Sequence, residues 1–345
     1  MYLEKSLLIL AISASCLISR LCFSQNIQSN VQKELKVWKL PNLREAAEAY
    51  FSPDGKFLIC NAKMPTDSNY QVYLVSTDGS TIKRINDKGD DACSYFSPDG
   101  EKIIFTSTRD NLDLPKGSYS DAKIYPQGSE IYSCDFDGKN LKRLTKNNYY
   151  DAECTYSPDG KWILFSRQIN GKLDLWKMLP DGSNQTQITH TDSLQEGGAF
   201  YLSDNKKIIY RAWKIADQSK KPMPMKLYIV NDDGNNKVLT DNDGTNWSPF
   251  PAPDGIHYVY VKVLQTTTPE GKPGRPNFEI FLGNLITGEQ KQLTFSPGFE
   301  GFPVLSPDGK TLNFSSDRDV VMVHGAPKKL FIHFMDVSSL NLGKK

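Results

Sequence analysis

The motif Ser-Pro-Asp-Gly begins at Ser52, Ser97, Ser157 and Ser306, and looser copies begin at Ser203 (LSDNKK) and Ala252 (APDG). Successive intervals are 45, 60, 46, 49 and 54 residues, the period of a propeller blade with insertions of variable length. Proline presets the first turn position, aspartate caps the turn and glycine takes positive φ, so each copy joins two antiparallel strands.

Each copy sits in the same local grammar. A short apolar stretch precedes the turn, and an apolar strand such as KIIFTS or KWILFS follows it. A third strand comes next (QVYLVST, EIYSCDF, DLWKMLP, KLYIVND, EIFLGNL, KLFIHFM), then a fourth (STIKRIN, NLKRLT, NQTQIT, NKVLT, EQKQLT) that ends at threonine or its equivalent. Strands of this length between turn residues predict an all-β chain, a six-bladed β-propeller. The sixth repeat supplies three strands, whereas Glu34–Leu40 (ELKVWKL) precedes the first repeat without a blade of its own. That segment is expected to be the outer strand of the last blade, closing the ring.

Units such as GSEIYSCDFDGKNLKRLT and DAECTYSPDGKWILFSR resemble the repeat of TolB-type six-bladed β-propellers from about residue 35 onward. The ordered set AEAYFSPDG, CSYFSPDG, YDAECTYSPDG, EGGAFYLSD, NWSPFPAPDG and FEGFPVLSPDG is similar to exported bacterial TolB-like propellers, some of whose relatives carry an attached peptidase domain. TolB proper carries an extra α/β domain ahead of its propeller, for which this sequence has no counterpart, and no Gly-x-Ser-x-Gly nucleophile elbow occurs.

Residues 1–24 pair Lys5 with an apolar run from Leu7 to Ile18 and small residues before Gln25, the layout of a secretory signal peptide. The propeller is then expected over residues 25–345, as a periplasmic or secreted monomer with no transmembrane segment after signal removal. Of six cysteines, Cys16 and Cys22 fall in the signal; Cys60, Cys93, Cys134 and Cys154 form no CxxC pair, so structural zinc is not indicated. Lone thiols or one bridge remain open for these four. With 41 basic and 40 acidic residues and no basic stripe interleaved with aromatics, nucleic acid is not an expected partner.

In a propeller the connections between second and third strands emerge opposite the Ser-Pro-Asp-Gly turns. They are long after Ser107, Ala212, Val263 and Ser316, which places a binding site on that face, around the central channel. The innermost strands bring to the same face Glu48, Asp91, Asp151, Glu153, Glu196, Asn246 and Glu300, with Arg211 and Trp247 nearby. These nine are the candidate ligand-binding residues. The second strands end near Lys63, Arg109, Arg167, Arg211, Lys262 and Arg318, so acid–base pairs between neighbouring blades are the structural alternative. Carboxylates left unpaired would suit a divalent cation or an amine; no cofactor is otherwise implied. His190, His257, His324 and His333 lack metal-ligand spacing, Trp213 and Trp247 read as rim aromatics, and Cys93 and Cys154 start neighbouring innermost strands. The sequence thus favours an exported binding module for a peptide, glycan or envelope protein. The alternatives are a TolB-like envelope-complex component, or an enzyme with a metal or acid/base site in the channel.

Overall fold

The turns close as their chemistry dictates. In the computed structural model, which describes residues 34–231, 236–240, 244–266, 274–320 and 329–344, Ser52 Oγ donates to Asp54 Oδ1 at 2.6 Å and accepts from the Phe57 N–H at 3.0 Å. The Gly55 N–H reaches the Ser52 carbonyl at 2.8 Å with Gly55 at φ 72°. The turns at Ser97, Ser157 and Ser306 repeat this pattern. In the fourth repeat the alignment shifts by one residue. The bonds start at Leu202, not Ser203, and Asn205 takes the glycine position at φ 56°, a conformation asparagine tolerates.

The described residues form six four-stranded antiparallel sheets. Blade one is Glu45–Phe51, Phe57–Lys63, Gln71–Ser76 and Ile82–Arg84; blade two is Asp91–Phe96, Lys102–Ser107, Glu130–Asp135 and Lys142–Arg143. Blade three is Tyr150–Tyr156, Ile163–Ile169, Lys172–Met178 and Thr186–Gln187; blade four is Leu194–Tyr201, Ile208–Lys214, Lys226–Val230 and Asn236–Val238. Blade five is Asn246–Pro251, His257–Leu264, Asn277–Asn284 and Gln290–Gln292. Blade six takes Glu300–Leu305, Thr311–Ser316 and Phe331–Asp336 from the end of the chain and Val37–Lys39 from its start, with Val37 opposite Met335 and Lys39 opposite His333.

Blade packing explains the unbroken apolar runs. Leu58, Ile59, Cys60 and Ala62 are all fully buried although they point alternately to opposite faces, because a neighbouring blade covers each face. Ile59, Val72 and Leu74 of blade one pack on Phe96, Ile103 and Phe105 of blade two, and each such side chain withdrawn from water contributes about 1.5–3 kcal/mol. The fourth strands are shorter than the sequence suggested, only two residues in Lys142–Arg143 and Thr186–Gln187. Their closing threonine does the remaining work. Oγ1 of Thr145, Thr189, Thr240 and Thr294 accepts the N–H of Ile131, Leu175, Leu227 and Ile280 at 2.9, 3.0, 2.9 and 2.8 Å. Residues 1–24 and His324 lie outside the described residues, and among those described no helix is long and apolar enough to cross a membrane.

Candidate functional site

Every innermost strand slips register against its neighbour: between Ala47 and Tyr50, Ala92 and Tyr95, Ala152 and Thr155, Gly197 and Phe200, Trp247 and Phe250, and Gly301 and Val304. At each slip one residue adopts left-handed backbone geometry: Glu48 (φ 52°), Cys93 (48°), Glu153 (57°), Gly198 (57°), Ser248 (50°) and Phe302 (53°). Only one is glycine, so the other five each carry a local cost of about 1–2 kcal/mol. A bulge re-aims a side chain out of the sheet's packing face. All six of these residues are partly exposed, whereas Ala46, Asp91, Asp151, Glu196, Asn246 and Glu300, two positions earlier, are buried. The bulge residues therefore line the channel.

Two residues further along each strand the channel is plugged. Tyr50, Tyr95, Phe200 and Phe250 come from four blades and meet near the axis, with ring centroids 5.1 Å apart for Tyr50–Tyr95 and Phe200–Phe250 and 6.0 Å for Tyr50–Phe200. The bulge side chains stand above an aromatic floor.

The two acids on this ring differ. Glu153 is tied down: it accepts from Arg211 Nη2 at 2.5 Å, from Ser166 Oγ at 2.9 Å and from the Gly198 N–H at 2.7 Å. A Cβ at position 197 would lie 2.2 Å from Glu153 Oε2 and 2.8 Å from Arg211 Nη1, so the ion pair needs the glycine beside it. Glu48 accepts from Asn61 Nδ2 at 2.6 Å and from Cys93. Burial, then the negative charge of Glu153, push its pKa up to about 7 against the opposing pull of Cys93 and Arg211. The chamber thus holds one neutralised acid and one that changes charge near neutral pH.

The candidates from the sequence separate into two layers. Glu48, Glu153 and Arg211 meet at the channel. Asp91, Asp151, Glu196, Asn246 and Glu300 are directed into blade packing. Asp151 takes two bonds from Arg167 at 2.6 and 2.7 Å, and Glu300 takes Arg318 Nε at 2.8 Å. Asp91 accepts from Asn86 Nδ2 at 2.7 Å and the Val72 N–H at 3.1 Å, Glu196 from Thr191 Oγ1 at 3.3 Å, and Asn246 donates to the Met225 carbonyl at 3.3 Å. The Asp151 and Glu300 pairs lie within one blade rather than between blades, because the hairpin register sets Asp151 opposite Arg167 and Glu300 opposite Ser316. Glu153–Arg211 is the pair that crosses from blade three to blade four. Trp247 packs at the rim against Phe278, Phe299 and Phe302, and Trp213 is buried beside Arg211.

Cys60, Cys93, Cys134 and Cys154 are free thiols. Cys154 Sγ donates to the Cys93 carbonyl at 3.2 Å, and burial pushes its pKa up to about 12. His257 is bonded to Asp254 and His333 to Asp319. Among the described residues no three His, Cys, Asp or Glu side chains group as a metal site. Sequence reasoning missed the bulge and the plug, yet one signal was present: the left-handed residue stands four positions before each turn's first residue, as Glu48 does before Ser52.

No family model matches the chain. It is 29% identical over 266 residues to an uncharacterized protein of Agrobacterium fabrum, covering 66% of this chain and 87% of that protein. It is 23% identical to dipeptidyl-peptidase 5 of Porphyromonas endodontalis over 71% of this chain, but that match spans only 32% of the peptidase. Among solved structures, a TolB-like protein of Agrobacterium tumefaciens superposes with a TM-score of 0.57 at 20% identity, over 88% of this chain and 97% of that one. TolB of Acinetobacter baumannii superposes at 0.56 and 19% identity, over 87% of this chain and 64% of that one. The chain has a TolB-like six-bladed β-propeller fold. At these identities the likeness extends to the fold and no further.

Proposed function

We propose that this TolB-like propeller is an exported binding module whose inserted face and channel mouth take a peptide, glycan or envelope protein. The observation that carries the reading is Glu48: a partly exposed residue, held on a left-handed bulge above an aromatic floor, whereas Asp91, Asp151, Glu196 and Glu300, two positions before the bulge in other blades, are consumed by blade packing. A strained residue kept at a channel mouth is a feature of binding sites. An acid over aromatic rings favours a ligand that presents an ammonium or several hydrogen-bond donors. The leader-like residues 1–24 support export to the periplasm or beyond, with the module acting as a monomer.

The test is a thermal-shift screen of residues 25–345 against peptides, cell-wall oligosaccharides and divalent cations, with Glu48→Gln alongside. A ligand at one hundred times its Kd adds about 2.7 kcal/mol to the native protein. A ligand that stabilises the native protein but not Glu48→Gln supports the reading; equal stabilisation of both moves the site away from the channel. The likeness to TolB favours a second reading, a component of an envelope complex, for which the expected result is a protein partner co-purifying with the tagged chain from envelope extracts.

A further inference from the structure

The longest described insertion, Thr108–Gly128 of blade two, exposes residues 112–116 but folds its second half back onto the neighbouring blades. Tyr125 stacks on Tyr150 of blade three with centroids 4.2 Å apart and planes 9° from parallel. Tyr119 Oη donates to the Asp90 carbonyl at 3.0 Å. Gln168 Nε2 of blade three donates to the Ala122 carbonyl at 3.0 Å, and Gln127 Nε2 reaches Gln168 Oε1 at 3.3 Å. Trp213, Met223 and Met225 of blade four complete the apolar cluster around Tyr119, Ala122 and Tyr125. One loop therefore bridges three blades.

What lies beneath is the bulge ring. Arg211, Glu153 and Cys93 are all within electrostatic reach of the Tyr125 phenol, and Cys93 is within reach of Tyr119. The opposite end of the channel is stopped by Tyr50, Tyr95, Phe200 and Phe250. The sector holding Cys93, Glu153 and Arg211 thus lies between the plug below and the loop's Tyr119 and Tyr125 above, which leave it only partly exposed. The loop's own outer side carries Leu112 and Ile124, each 56% exposed, so it is fastened only from its inner side, by its aromatics and a few hydrogen bonds, the Gly128 N–H to the Tyr149 carbonyl at 2.7 Å among them. A loop held by a few side chains opens at lower free energy than the blades it spans.

We propose that Thr108–Gly128 is a gate, with the Tyr125–Tyr150 stack and the Gln168–Ala122 bond as its latch, and that molecules larger than water reach the Cys93–Glu153–Arg211 sector when it lifts. This deepens the channel-binding reading and rests on it for its purpose, but its test needs no ligand. Cys93 is partly exposed on the ring, while Cys60, Cys134 and Cys154 are buried in blades, so the three serve as internal controls.

The experiment labels the native protein with N-ethylmaleimide and follows each cysteine by mass spectrometry, for the native chain, Tyr125→Ala and Gln168→Ala, with Cys93→Ser to assign the signal. Cys93 is expected to label at least about tenfold faster in Tyr125→Ala, the factor corresponding to about 1.4 kcal/mol, and by a smaller factor in Gln168→Ala, while the buried three keep their rates. Equal Cys93 rates in the native protein and both variants would overturn the gate, as would native Cys93 labelling as fast as in denatured chain. If all four thiols speed up together in Tyr125→Ala, that variant has unfolded and Gln168→Ala decides. Loss of the gate would leave ligand binding at Glu48 standing, so the two readings fail separately.

Discussion

Replacing Arg211 by methionine should destabilise the propeller more than removing the whole ion pair. Arg211 and Glu153 are 12% and 15% exposed, lie on different blades and meet at 2.5 Å. Arg211→Met leaves the Glu153 carboxylate with only Ser166 and the Gly198 N–H, and stranding a buried charge costs about 3–5 kcal/mol. For a unit of about 310 residues, an unfolding entropy near 2.1 cal/mol/K per residue gives about 0.65 kcal/mol/K, so Tm should fall by about 5–8 °C. The double variant Glu153→Gln/Arg211→Met has no stranded charge and should recover at least about 1 kcal/mol of that loss, within the range found for contacting residues. Scanning calorimetry at pH 7.5 reads both. A double variant no more stable than Arg211→Met, or an Arg211→Met shift under about 1 °C, would refute the inter-blade tie.

Three further outcomes follow from the same geometry. Glu48 titrates near 4.5 when unfolded and near 7 when folded, so its contribution to stability is complete below pH 4.5 and is lost as pH rises through 7; Glu48→Gln should therefore gain on the native protein by about 3 kcal/mol across that window, and parallel melting curves at pH 5 and 8 would contradict it. Thr145→Val leaves the Ile131 N–H without its side-chain acceptor and should cost about 1–3 kcal/mol, with Thr145→Ser near native, as read by urea denaturation. Deleting residues 34–40 removes the strand paired with Phe331–Asp336 and exposes a sheet edge; a large fall in Tm and lost cooperativity are expected, and an unchanged melting temperature would show that the strand is dispensable.

The fold was legible because turn chemistry and apolar runs are local. Ser52, Asp54 and Gly55 satisfy one another within four residues, so their recurrence marks every blade that keeps them. Where the motif degenerates to Leu202–Asn205 the alignment slips by one, since Ser203 mimics the turn serine without occupying its place. The candidate site was only half legible. Counting along a strand assumes strict alternation, and the bulge breaks it, so Glu48 and Asp91 appeared equivalent although one faces the channel and the other caps Val72 of the preceding blade. The aromatic floor was harder still, because Tyr50, Tyr95, Phe200 and Phe250 meet only when four distant blades share one axis.

A partner of this propeller is expected to bind at the inserted face and channel mouth. The most direct measurement is hydrogen–deuterium exchange of the chain with and without whichever ligand or envelope protein the screen or co-purification yields. Slower exchange is predicted around Glu45–Phe51, Asp91–Phe96 and Thr108–Gly128, with the Ser52, Ser97 and Ser157 turns unchanged. Protection confined to those turns or to the outer strands, with the bulge strands and the loop unaffected, would contradict it.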